Sequence, residues 1–124
     1  MASRRPLLVA AGSAVVVLAT IAAILLAANR WQWVEQSISS WDSASDDGSA
    51  LAVHFLTGPC ADGTRVKVVE TASTVQLVAE LRQEKGASCL AFGIPVTVEV
   101  RLKSPLGDRA VVGRDGQPLA QSGP

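Results

Sequence analysis

The sequence predicts one N-terminal transmembrane helix followed by a small all-β domain, an antiparallel sandwich or open barrel of four to five short strands with one disulfide. Three observations predict it. Residues Leu7 to Ala28 contain no charge and no proline, with Ser13 and Thr20 the only polar side chains. From Leu51 onward the apolar residues recur with period two, most cleanly at Val96, Val98, Val100 and Leu102. The chain holds two cysteines, Cys60 and Cys89, each beside a turn-forming stretch.

Residues 1–6 form the N-terminal flank and 7–28 the expected span. At ~1.5 Å per residue a helix of that length reaches roughly 33 Å, against a hydrocarbon core of about 30 Å. Arg4 and Arg5 precede it and Arg30 alone follows closely, so the positive-inside bias places the N-terminus in the cytoplasm and the rest outside. The segment is longer than a secretory core, and Leu25 and Leu26 occupy the positions where cleavage after Ala27 or Ala28 needs small residues, so an uncleaved signal anchor is expected. Ala19, Ala23 and Ala27 form a weak small-residue row.

Residues 29–49 read as a juxtamembrane amphipathic segment and linker. Arg4, Arg5, Arg30, Trp31, Trp33 and Trp41 are the expected membrane-interface residues, since indoles and arginines flanking a span suit the headgroup level. Trp31, Val34, Ile38 and Trp41 follow steps of three, four and three. On a continued helix they make one apolar stripe, either lying on lipid or facing another subunit. Ser43 to Ser49 reads as a tether. Asp42, Asp46 and Asp47 miss the alternating spacing of a calcium loop.

The β-domain is expected over 50–112. Leu51, Val53 and Phe55 alternate with Ala52, His54 and Leu56 in a first strand, which the Gly58–Gly63 turn cluster ends. Val66 and Val68 mark a second strand ending near Glu70. Val75, Leu77, Ala79 and Leu81 mark a third, opposite a wet face of Thr74, Gln76, Glu80 and Arg82, with Val78 the exception. Ser88 to Pro95 reads as a loop, because proline limits pairing. Val96 to Lys103 is the clearest strand, and Ala110–Val112 a short last one. Residues 113–124, poor in groups to bury, are expected to fray as a flexible tail.

Cys60 and Cys89, with 28 residues between them, are not a redox CxxC, and with one histidine they complete no zinc site. Two unrelated buried thiols would be the plain reading. The expected topology favours a Cys60–Cys89 disulfide in an oxidising compartment, worth roughly 3–4 kcal/mol to a small core in the chain-entropy model. The runs Gly58-Pro59-Cys60, Val66 to Glu70, Cys89 through Val98 and Pro105 to Arg109 resemble uncharacterised actinobacterial envelope proteins, membrane-anchored or secreted, with a small two-cysteine β-domain. The resemblance covers about Leu51 to Val112. It implies the same compartment and disulfide, and carries no activity.

From Asp42 onward there are eight basic and ten acidic residues and no polybasic block, so nucleic-acid binding lacks its electrostatic footprint. His54, the only histidine, falls on the outer face of its strand, and no serine stands in a nucleophile-elbow pattern. Glu70 and Glu99 sit where strand surfaces carry charge, and no glycine-rich phosphate loop occurs. The expectation is a non-catalytic single-pass membrane protein without cofactor or metal. It would be an accessory or interaction subunit that meets the lipid bilayer and a larger membrane complex. The alternative is a secreted or tethered binding module for an envelope ligand or peptide, released after signal cleavage.

Overall fold

Leu51, Val53 and Phe55 are buried to within 1% of full, whereas Ala52 and His54 between them are only partly covered and Leu56 is exposed. One face of this strand therefore belongs to a core, as its alternation predicts. The computed structural model describes residues 15–24, 30–86 and 93–123. Seven strands follow one another: β1 (Trp31–Gln36), β2 (Ile38–Ser43), β3 (Ala50–Thr57), β4 (Ala61–Glu70), β5 (Thr74–Glu84), β6 (Ile94–Arg101) and β7 (Ala110–Val112). They make two sheets, one with β5 between β4 and β1 and with β7 also on β5, the other in the order β2-β3-β6. The pairs β2–β3, β3–β6 and β4–β5 are antiparallel, and β7 runs parallel to β5. Leu51, Val53, Phe55, Val75, Leu77, Ala79, Leu81, Val100, Leu102 and Val111 interdigitate between the sheets with Trp41.

The expected membrane anchor is corrected. The described helix, 15–24, is exposed on every side, and the Thr20 hydroxyl donates to the Val16 carbonyl at 2.9 Å. Among the described residues no helix is long and apolar enough to cross a membrane. The single-pass anchor over 7–28, and the sidedness inferred from it, are therefore withdrawn. Arg4, Arg5 and residues 7–14 and 25–28 lie outside the described residues. The expected disulfide falls on a described residue at one end only: Cys60 is disulfide-bonded and not a free thiol, and Cys89 lies outside the described residues.

The amphipathic helix expected over 29–49 is also corrected. Trp31 and Val34 lie in β1, Ile38 and Trp41 in β2, and the loop 44–49 joins β2 to β3. Asp47 organises that loop: its Oδ1 accepts from the Ser49 hydroxyl at 2.6 Å, the Ser49 amide at 3.0 Å and the Ser45 hydroxyl at 2.9 Å. These bonds favour the carboxylate and hold its pKa down at about 2. Gly48 turns the chain at φ +75°, a conformation that disfavours side chains with a Cβ.

β1 and β2 are one extended run that changes sheets at Ser37, with a bulge between Ile38 and Ser40. Trp41 is 8% exposed, so its indole belongs to the core and not to a headgroup layer. The segment expected to be a flexible tail instead completes the flank beside it. Gly113 N donates to Gln117 O at 2.9 Å and Leu119 N to Val111 O at 3.0 Å, folding the chain back on β7. Trp41 N then donates to Ala120 O at 3.0 Å, Ser122 N to Trp41 O at 2.8 Å, and the Trp41 indole to Leu119 O at 3.3 Å. Pro95, expected in a loop, pairs with Leu56 in β6, an edge strand where a missing N–H is tolerated.

At the opposite end Arg109 ties the 103–109 turn to the β4–β5 hairpin. Its guanidinium donates to the carbonyls of Thr71, Ser104, Pro105 and Leu106 and to Glu70 Oε1 at 3.2 Å. The Arg109 and Glu70 side chains are only 12% and 13% exposed. The Lys103 amide donating to Glu70 at 2.8 Å, with Arg109 beside it, holds the Glu70 carboxyl below its ordinary 4.5.

Three outcomes are expected in urea denaturation of the full chain. Trp41→Phe, which removes the indole donor to Leu119, lowers stability by about 1–2 kcal/mol. Arg109→Ala lowers it by about 2 kcal/mol, and Arg109→Lys does not restore it because a point charge cannot serve four carbonyls at once. Glu70 has a depressed folded pKa, so its contribution is present above pH 4.5 and is lost as pH falls through the folded value. The gap between the wild type and Glu70→Gln therefore narrows in acid and is widest at neutral pH.

Candidate functional site

Three surface features merit a chemical reading, beginning with the outer face of the β2-β3-β6 sheet. The register sets Ser40 and Thr97 opposite His54, with Asp42 diagonal to it. His54 Nδ1 lies 2.8 Å from Thr97 Oγ1, and Nε2 lies 3.3 Å from Asp42 Oδ1. A hydroxyl, an imidazole and a carboxylate thus stand in line, as in a nucleophilic triad. Interior strand amides lie in the plane of the sheet, however, and none is aimed across its face at the oxygen of a reacting carbonyl. The row ties β2, β3 and β6 together across their outer face. Alternation places His54 outward, as found, whereas Asp42 lies in a strand whose spacing reads as helix and linker.

On the outer face of the other sheet, Trp33 reaches from β1 across β5 to β4, with the Arg65 guanidinium 3.8 Å from its ring centroid. Arg65 Nε also contacts Glu80 Oε1 at 2.8 Å, and Lys67 Nζ approaches the same oxygen at 3.3 Å. Burial pushes the Glu80 carboxyl up, but the hydrogen bonds and charges of Arg65 and Lys67 outweigh it and leave the pKa below 4.5. This face, expected to be wet, covers Glu80 to 7% exposure and Val78 to 8%. Its charges are spent on one another.

The third feature is a cleft. β4 occupies one edge of β5, so β1 and β7 share the other. β7 covers Thr74–Gln76, and the next residues, Leu77, Val78 and Ala79, floor a cleft of about 390 Å³. One wall is the sheet-switching segment Glu35–Ile38, and the other is Gly113–Asp115 with Leu119. Ile38, Leu77, Ala79 and Leu119 give it an apolar interior continuous with the core. Gln76 Nε2 donates to the carbonyls of Gly113 at 3.4 Å and Arg114 at 3.1 Å, fixing the second wall. At the mouth Arg114 Nε meets Glu35 Oε1 at 3.3 Å, with side chains 63% and 45% exposed. Asp115 Oδ1 accepts from the Gln117 amide at 3.0 Å.

Of the residues singled out in the sequence, Ile38 lines this cleft and Trp41 supports it through Leu119. Trp31 and Val34 lie in β1, Arg30 in the turn before it and Cys60 in the turn before β4, so no common face collects them. The walls were missed because both were assigned to unfolded or helical segments. Among the described residues no buried side-chain nitrogen or oxygen lacks a hydrogen-bond partner, and no three His, Cys, Asp or Glu side chains are grouped to hold a metal. Compared with known proteins, the chain matches no family model, no curated protein and no solved structure.

Proposed function

We propose that this protein is a non-catalytic interaction module, an accessory β-domain that binds an extended segment of a partner polypeptide through the cleft at its strand switch. The observation that carries this reading is the floor of that cleft. Leu77–Ala79 line it just past the end of β7, on the edge of β5 that β1 and β7 share, beside apolar side chains of the core. A strand edge supplies main-chain hydrogen bonds to an extended chain, and a pocket beside it reads one side chain. The volume of about 390 Å³ lies in the range of small ligand pockets. In the triad-like row the strand amides lie in the plane of the sheet, and on the Trp33 face the Glu80 carboxylate is already met by Arg65 and Lys67, so the cleft is the better-supported site.

The test is selection of displayed heptapeptides on the full chain, followed by amide chemical-shift mapping of those enriched. The expected shifts centre on Leu77–Ala79 and Gly113–Asp115. Ser37→Trp, which sets an indole at the exposed rim without touching the core, weakens binding by about tenfold or more. Enriched peptides that leave those amides unmoved overturn the reading.

A further inference from the structure

Resting on that reading, we infer that the cleft takes the N-terminal residue of its partner, with a free α-ammonium at the rim and an apolar first side chain inside. The first step is topological. β7 occupies Thr74–Gln76 on the edge of β5 that β1 also shares, so a strand entering along that edge at Leu77–Ala79 meets β7 and cannot run through. An extended chain seated there has to end there.

The second step is charge. The rim carries two carboxylates, Glu35 and Asp115, against one cation, Arg114. Arg114 is held by Glu35 through an exposed pair, a contact that exchanges at little cost. Asp115 uses one oxygen on the Gln117 amide, within its own turn. The carbonyls of Gly113 and Arg114 are already bonded to Gln76, so the wall itself offers the newcomer carboxylates more than main-chain acceptors. The net negative rim fits an ammonium, whose three donors reach several oxygens at once, better than it fits the carboxylate of a C-terminus. Below it, the half-buried Ile38 and Leu119 offer apolar surface to an aliphatic side chain, over the buried Leu77 and Ala79.

The experiment uses the full chain and three synthetic pentapeptides that begin with leucine: one with a free amine, its N-acetylated form, and one with leucine moved to the C-terminal position and the amine acetylated. The free-amine peptide binds about tenfold more tightly than its acetylated form, and the advantage shrinks as salt is raised. Arg114→Gln removes the competing cation and strengthens binding about threefold, while Glu35→Gln and Asp115→Asn weaken it. These residues are on the exposed rim, and amide spectra of each variant confirm that the fold persists. Equal binding of free and acetylated peptides overturns the inference while leaving the interaction module standing. So does preference for the C-terminal leucine together with weakening by Arg114→Gln, which assigns the rim to a carboxylate. Failure of all three peptides, with no shifts at Leu77–Ala79, overturns the parent reading as well.

Discussion

Trp41 is grasped on its amide, its carbonyl and its indole by Ala120, Ser122 and Leu119, and the two sheets are joined along that flank through those contacts. An open pair of sheets leaves two strand edges on each side, and an edge without partners is both a source of unsatisfied backbone groups and a template for unwanted pairing. Here the last residues fold back on β7, which belongs to one sheet, and then lie against β2, which belongs to the other. Among the described residues the core cluster has eleven mostly aliphatic members, and in a small domain each hydrogen bond at its rim counts for more than it would in a larger one. Burying the largest side chain of the core at the point of closure makes the closure and the core one cooperative unit.

The opposite flank uses charge for the same purpose. Arg109 converges on four carbonyls and one carboxylate, and so turns a loop of Ser, Pro and Gly into a fixed corner beside Glu70. The outer face of β5 follows a related logic. Glu80 is covered because Arg65 and Lys67 meet it from β4, and Trp33 in turn lies on Arg65. A charge removed from water is tolerated where its partners come with it. That coupling is also why the alternation of Gln76, Val78 and Glu80 does not describe a solvated surface.

What was legible in the sequence is the part governed by local period. Leu51 to Phe55, Val75 to Leu81 and Val96 to Leu102 each declare a buried face without help from the rest of the chain, and the structure buries most of them and half-buries Val96 and Val98. What was not legible depends on partners distant in sequence. Trp31, Val34, Ile38 and Trp41 satisfy a helical spacing, yet the three Trp with Val34 and Ile38 suit strands at least as well, and the decision falls to β3 and β5. Residues 113–123 carry almost nothing that marks a strand, and only the exposed edges of β7 and β2 give them a place. The expected membrane span rests on length rather than on contacts, and among the described residues no helix is long and apolar enough to supply it. The cleft lies between two misread segments, so no reading of either alone would have found it.

The position of that cleft is a consequence of the chain changing sheets. A run that pairs with β5 and then with β3 must leave the first edge before it can reach the second, and at Ser37 it has done so. β7 meets the same edge but is only three residues long, pairing up to Gln76. The residues just past its end are left with apolar side chains on one side and an open edge in front. Lengthening β7 by two or three residues would close the gap and give a more continuous sheet. The turn beginning at Gly113, held by Gln76, stops it instead. The same glutamine that ends the strand thereby builds the wall of the pocket, so the shortness of β7 and the existence of the cleft are one structural fact.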